Sequence, residues 1–431
     1  MRVSSGMLFD AGVSGINRQM ASLMKIQQQV SSGRRIQTPG DDPVAAARAL
    51  EMTQASDVVA QFKQNQSYAL SALGFEESQL TSAGDVLGRV RELAIQSGST
   101  SLSATARKAI ATELRASFDQ LIGIANSTDG AGNHIFSGFM SATIPFGGSV
   151  DNILGGGEIV YQGDEGQRKL QVSPSRSIEV SDSGLDVFRR IRNGNGYFVT
   201  DYAAGNTGTA IVNSGTVTDP AVWQGASTQN LSIRFAVTAG VTTYDIVDTA
   251  SGNSLLTGGV APASVANQRS FQAGQPIVLK SQGAEPAFDL GGSVTITGTA
   301  ADGDSFSLVP SESQSVFATL ANLIGALEAT AGTPSANAKY MNDVGFAVTG
   351  LARASDNIVR VRAQIGSRMN EIESLSTLND DLGLQYQQIL SNLQDVDYAK
   401  AISDLTRQQI GLEAAQQSFV KVSQLSLFNF L

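Results

Sequence analysis

The feature that most restricts the fold is a run of apolar residues seven apart in the second half of the chain. Val344, Leu351, Ile358, Ile365 and Ile372 form one series, which continues through Asn379, Tyr386 and Leu393. A second series, three residues later in each heptad, holds Leu375, Leu382, Ile389 and Val396. Paired seams of this kind put a narrow apolar stripe on one side of a helix, and the stripe is stable only against a partner helix. No proline interrupts residues 340–396. The pattern therefore predicts one helix of roughly 50 residues, about 75 Å long at 1.5 Å per residue. The polar Asn379 inside a seam either fixes the register of the pairing or faces a polar neighbour.

A match for that helix lies in the first half. Phe62, Ala69, Ala83 and Val90 occupy one seam, and Leu73, Leu80, Leu87 and Ala94 the other, with Glu76 interrupting the first. The segment SLSATARKAIATELRASFDQLIGIA then places Ile110, Leu114, Phe118, Leu121 and Ala125 on one face, with Ser101 or Ser103 as its N-cap. SQSVFATLANLIGALEA repeats the idea with Phe317, Leu320, Ile324 and Leu327. Between these helical stretches the texture changes. LSIRFAV alternates Leu231, Ile233, Phe235 and Val237, SVTIT places Val294 and Ile296 on one face, and glycine pairs and Asn/Asp residues punctuate the runs.

The expected fold class is α+β: long coiled-coil terminal helices and an antiparallel helical rod formed by both chain ends, with a β-rich central domain. The expected segments are an N-terminal assembly helix over 1–42, pairing with a C-terminal assembly helix over 397–431. The first half of the rod, with a β-hairpin region, spans 43–194. A β-rich outer domain spans 195–310, and the second half of the rod 311–396.

The two ends carry stripes of their own. Ile16, Leu23 and Val30 are seven apart, flanked by Met20 and Ile26. Tyr398, Leu405, Leu412 and Phe419 are seven apart, with Ala401, Ala415 and Val422 on the adjacent seam. Each stripe is too narrow and too short to stand alone in water; the two pair with each other or dock on the bundle. The apolar tail Leu425, Leu427, Phe428, Phe430 and Leu431 gains about 25 cal/mol per Å² on burial. No sequence follows to cover it, so another chain is the expected supplier. The expected assembly interface is Ile16, Met20, Leu23, Val30, Leu405, Leu412, Phe419, Val422, Leu425 and Phe428. The stretch TPGDDPVAAARA marks a hinge between the terminal helix and the bundle. Pro39 and Gly40 break the preceding helix, Asp42 caps the next one, and Pro43 suits its first position.

Chemistry-bearing constellations are missing. The chain has no cysteine and one histidine, His134, which alone makes no His-rich metal site. No G-x-S-x-G elbow accompanies it, and it reads as structural. Asp302 and Asp304 have a Ca²⁺-like spacing without the closing Glu, and read as a solvated turn. The GGGE run at 155–158 lacks the context of a phosphate loop. The expectation is no catalytic residue, no metal and no cofactor. A formal net charge of −10 argues against nucleic acid as a partner. No stretch of ~18 apolar residues predicts a transmembrane helix or membrane insertion. The opening MRVSSGMLFDAG lacks the apolar core and cleavage site of a secretory signal, so export, if any, takes another route.

The ends also resemble a known family. SSGRRIQTPGDDPVAA resembles the N-terminal signature of the bacterial flagellin family, and DVDYAKAISDLTRQQIGLEAAQQSF its C-terminal signature. RAQIGSRMNEIESL, from Arg362, is similar to the returning rod helix. The resemblance covers roughly residues 1–192 and 305–431 and leaves 195–305 uncovered. Three features set the chain apart from the filament subunit: the opening MRVSSGML, Pro43 after the Asp pair, and the close SLFNFL.

What the resemblance implies is a structural adaptor, not an enzyme, that joins the flagellar hook to the filament and is required for filament assembly and motility. Its partners would be hook-associated protein 1, flagellin and copies of itself in a closed layer. It would be exported without a cleaved signal through the flagellar type III apparatus, with a chaperone covering its C-terminal region, and would end extracellular. The alternatives are flagellin, the filament subunit itself, and a surface adhesin working through the β domain. Against the adhesin, Trp223 is the sole tryptophan available for stacking on a sugar.

Overall fold

The computed structural model describes residues 5–99, 102–329 and 332–425. The principal helices are α1 (Ser5–Ser32), α2 (Pro43–Ser97), α3 (Ala104–Ala125), α4 (Val316–Glu328), α5 (Pro334–Gln394) and α6 (Tyr398–Leu425). The α+β class expected from the sequence is the one observed, with long helices toward both ends and the strands concentrated between them. Contacts divide the chain into two compact units. One comprises Met1–Ser67, Gln171–Arg176 and Ile372–Leu431; the other comprises Tyr68–Leu170 and Ser177–Glu371.

In the larger unit α2 and α5 run antiparallel. The Tyr340 hydroxyl donates to Ser97 O (2.7 Å), Gly84 lies against Ile358, and Arg362 pairs with Glu77 at 2.8 Å. The seams read from the sequence are the buried ones: Ala69, Leu73, Leu80, Ala83, Leu87, Val90 and Ala94 on α2, and Val344, Leu351, Ile358 and Ile365 on α5. Helix α3 starts at the Ser103 cap, whose side chain accepts from Ala106 N, and packs on α4. There Phe118 and Phe317 meet edge to face at 5.8 Å, and Arg115 forks onto Glu328 at 2.8 and 2.9 Å.

The β domain of this unit has two antiparallel sheets. In the first the order is Asn253–Ser254, β3 (Val241–Asp248), β2 (Leu231–Thr238), β6 (Ser305–Pro310), β1 (Phe198–Tyr202). In the second, β5 (Asp289–Thr297) lies between β4 (Pro276–Lys280) and Ile211–Val212. Register pairs Phe235 with Tyr244 and Ile233 with both Ile246 and Phe306. The core holds Phe198, Leu231, Ile233, Phe235, Ile296 and Phe306. Trp223 is 2% exposed and packs on the Phe198 ring at 4.9 Å, so it serves this core and presents no open stacking face. The domain is joined to the helices through a narrow neck. Arg192 pairs with Ser313 and Ile191 with Gln314, and Asn193 N donates to Glu312 O at 3.0 Å.

The acidic turn at Asp302–Asp304 differs from the solvated loop expected. Asp304 is 2% exposed and accepts from the amides of Thr207 (2.8 Å) and Ala301 (2.8 Å), because the turn folds back onto the 206–208 loop. Asp302 accepts from Val237 N at 3.0 Å. His134 is structural in its contacts, with Nδ1 2.8 Å from Asn126 O.

Candidate assembly interface

The smaller unit has a thin core. Ala45, Ala49, Val59 and Phe62 on α2 are buried, with Ile372 and Asn379 on α5. Beyond Ile372 the seam residues Leu375, Leu382, Tyr386, Ile389 and Leu393 are only half-buried. Asn379 is 4% exposed, and its Nδ2 finds no hydrogen-bond partner among the described residues. The side-chain amides of Asn65 and Gln66 hold a passing chain segment, donating to Gln171 O (2.8 Å) and Val172 O (2.9 Å). Lys63 pairs with Asp380.

Helix α1 packs along α6. Ile16, Leu23 and Val30 lie on the half-buried side of α1, and Leu405, Leu412 and Phe419 on that of α6. Gly12 permits the close approach: a Cβ there would stand 2.7 Å from the Phe419 ring. Gly411 lies against the end of the Gln19 side chain. Phe9 meets Phe419 at 5.1 Å between centroids. Sequence reasoning missed Gly12, whose signal was its place two heptads before Ile26.

The pair buries little. None of the described side chains of α1 is buried, and on α6 only Ala401 is. A second apolar set stays exposed: Phe9 53%, Met20 40% and Met24 62% on α1, and Ile402 52%, Ile410 62% and Val420 50% on α6. Met20 thus belongs to the open face rather than to the seam. Helix α6 extends through Val422 and Leu425, whose side chains, like Phe428, lie outside the described residues. An open apolar face of this kind is a surface for association.

The stretch between α1 and α2 is tightly bonded. Helix α1 ends at Gly33, which has φ +70° and lies against the Tyr398 hydroxyl. Residues 34 and 395 form an antiparallel bridge, flanked by Val396 N donating to Gly33 O (2.9 Å) and Arg35 N to Gln394 O (2.6 Å). The Arg35 guanidinium donates to Leu393 O at 2.8 Å. Pro39 and Gly40 sit in the turn closed by Asp41 N donating to Thr38 O, 2.9 Å. Asp42 caps α2 through Ala45 N (3.0 Å), and Pro43 is its first residue.

Asp41, which the sequence shows only as the first of an Asp pair, organises the turn. Its Oδ2 accepts from Thr38 N (2.9 Å) and Gln37 N (3.1 Å), and Lys25 stands 2.7 Å from Oδ1. Lys25 first, then the two amides, hold its carboxyl well below the usual carboxylate range. The legible signal was the Thr-x-x-Asp spacing of a side-chain-closed turn.

Among the described residues no cluster of His, Asp or Glu is placed to hold a metal ion, and no helix is long and apolar enough to cross a membrane. The site's chemistry is that of packing and hydrogen bonding.

Two family profiles match the chain. The bacterial flagellin N-terminal helical region matches residues 3–141, and the bacterial flagellin C-terminal helical region residues 348–431. The chain belongs to the bacterial flagellin family. Within it, the chain is similar to flagellar hook-associated protein 3 of Escherichia coli, 26% identical over 428 residues that cover 99% of each chain. The flagellin of Bacillus subtilis is 28% identical over 140 residues, 32% of this chain and 46% of the flagellin. The crystal structure of hook-associated protein 3 from Legionella pneumophila superposes with a TM-score of 0.70 at 31% identity, over 79% of this chain and 98% of that one.

Proposed function

We propose that the chain is a non-enzymatic structural adaptor of the bacterial flagellum, joining the hook, through hook-associated protein 1, to the flagellin filament. The observation that carries this reading is the length of the match. Similarity to hook-associated protein 3 runs through 99% of both chains, whereas the match to flagellin covers 46% of that protein. In this reading the protein lies outside the cell, at the hook–filament junction, and is exported through the type III apparatus without a cleaved signal. A chaperone covers its C-terminal region beforehand.

The assembly surfaces are the terminal helices. Ile16, Leu23, Val30, Leu405, Leu412 and Phe419 hold the α1–α6 pair, and Met20 with its exposed neighbours meets adjacent subunits of a closed layer. Val422, Leu425 and Phe428 are assigned to the same subunit contacts. Pro39, Gly40, Asp42 and Pro43 form the joint at which the terminal pair is set against the rest. The partition into terminal helices (1–42, 397–431), rod (43–194, 311–396) and outer β domain (195–310) follows from the same reading.

Electron microscopy of isolated hook fragments bearing hook-associated protein 1, incubated with the purified chain, tests the proposal. A short cap that then accepts flagellin supports it. Growth into long filaments by this chain alone would identify a filament subunit instead.

A further inference from the structure

The β domain is seated on α5 through contacts at residues 339, 342, 343, 346, 349 and 353, which recur every three or four residues and so share one helix face. Lys339 Nζ donates to Ala204 O (2.6 Å). Asn342 Oδ1 accepts from Val212 N (2.8 Å). The Tyr202 hydroxyl donates to the Asp343 carboxylate, 3.0 and 3.2 Å from its two oxygens, and the Tyr202 ring stacks on Phe346 at 6.4 Å. Ser214 and Thr349 share a hydrogen bond of 2.6 Å, and Arg353 reaches Asn195 O.

This seat is largely polar, and it is not fully packed. A cavity of about 570 Å³ opens beside it, lined in part by Asp201, Tyr202, Thr319, Asp343 and Phe346. Seats with few apolar contacts and ready access to water are the ones that open locally.

We propose that the seat is a proton-operated joint: protonation of Asp343 holds the β domain down on α5, and its ionisation beside Asp201 releases β1 and the 204–214 loop at the cavity edge.

The electrostatics agree. Burial pushes the Asp343 carboxyl up to about 6; the Tyr202 hydrogen bond opposes this and the Asp201 charge adds to it. Burial raises the Asp201 carboxyl as well. The ionisable groups that bear on Asp343 are Asp201 and Tyr202 on β1; Lys339, one turn before it on its own helix, is engaged by Ala204 O. Helix α4 and the 193–194 turn contribute only Thr319, Asn322, Asn193 and backbone to the cavity near them, none of them ionisable. Among the described residues no cation forms an ion pair with Asp343, so only the Tyr202 hydrogen bond offsets the cost of its charge.

The sign follows from linkage. A carboxyl whose value is about 6 when seated and about 4 when hydrated binds its proton more tightly in the closed state. Opening is therefore favoured as pH rises from about 4 to about 6, and levels off above that.

Hydrogen-exchange mass spectrometry on the full chain at about pH 5.2 and about pH 7.5, corrected for intrinsic exchange, tests this. Protection of peptides covering 198–214 should fall about sevenfold at the higher pH. The β2–β3 hairpin should not change. Asp343→Asn should keep the high protection at both pH values. A wild-type profile in Asp343→Asn, or an equal loss across the whole domain, overturns the joint. Should that variant fail to fold, ¹³C titration of the wild-type carboxyls decides: a midpoint for Asp343 near 6 supports the proposal, and one near 4 overturns it.

Discussion

Glu76 is 1% exposed on α2; its Oε1 accepts the Asp182 amide at 3.1 Å and its Oε2 has no partner among the described residues. Asp182 is itself held by Arg368 at 2.8 and 3.1 Å. Burial above all, with the Asp182 charge adding to it, pushes the Glu76 carboxyl well up. The folded unit therefore keeps a proton that the unfolded chain releases near pH ~4.3. Its contribution to stability falls as pH rises from there toward the folded value, and is constant beyond it. Glu76→Gln keeps the Oε1 acceptor and cannot ionise. In denaturant titrations the variant should gain on the wild type progressively between about pH 5 and about pH 7. A gap that stays constant with pH would contradict a protonated Glu76. In the sequence this residue shows only as a break in an apolar seam. Its partners arrive from more than a hundred residues away, so no local spacing announces them.

At the scale of elements, two helices and one turn make separate claims. Leu412 lies on the half-buried side of α6, in the unit whose core is thin. Leu412→Asp should abolish incorporation onto hook ends while the main thermal transition of the larger unit stays in place. A fall in helical content with loss of that transition would show that the terminal pair is part of the folded body. The turn between β2 and β3 is two residues long, Ala239 with φ +50° and Gly240 with φ +78°. Positive φ at both positions is what a tight hairpin demands, and alanine is a poor occupant of the first. Ala239→Gly should stabilise the domain by about 1 kcal/mol, read as a higher denaturation midpoint; an unchanged midpoint would mean the turn is unstrained.

These elements differ in how legible they were. The heptads of α2 and α5 named the buried seam residues of the two helices in the larger unit because one period runs through both, broken only at Glu76. Leu231, Ile233 and Phe235 announced one strand, yet the sheet order did not follow. Strands of two to nine residues joined by glycine turns carry no signal of which partner each will take. The joint at 33–43 was visible as broken helix, while its cross-strand bonds to 393–396 were not.

On the scale of the whole molecule, the β domain is an insertion whose ends meet. Asn193 and Glu312 share hydrogen bonds of 3.0 and 2.8 Å although they are 119 residues apart, and the strand pair 191–192 with 313–314 closes below them. Removing residues 195–310 and joining Gly194 to Ser311 leaves a two-residue turn on that pair, at a glycine that already has φ +57°. The shortened chain should keep a cooperative helical melt by circular dichroism. A broad, non-cooperative melt would mean the helices depend on the domain they carry. The neck has a kinetic consequence as well. While the insertion is unfolded, bringing the strand 313–314 that leads into α4 back to 191–192 means closing a loop of over a hundred residues; once it has folded, only the few residues of the neck remain to be ordered. The difference in closure entropy is roughly 3 kcal/mol, enough to make the order of events matter. Refolding of the helical body should therefore wait on the β sheets, and a lesion deep in the insertion, far from any helix, should register first as a slower return of helical signal.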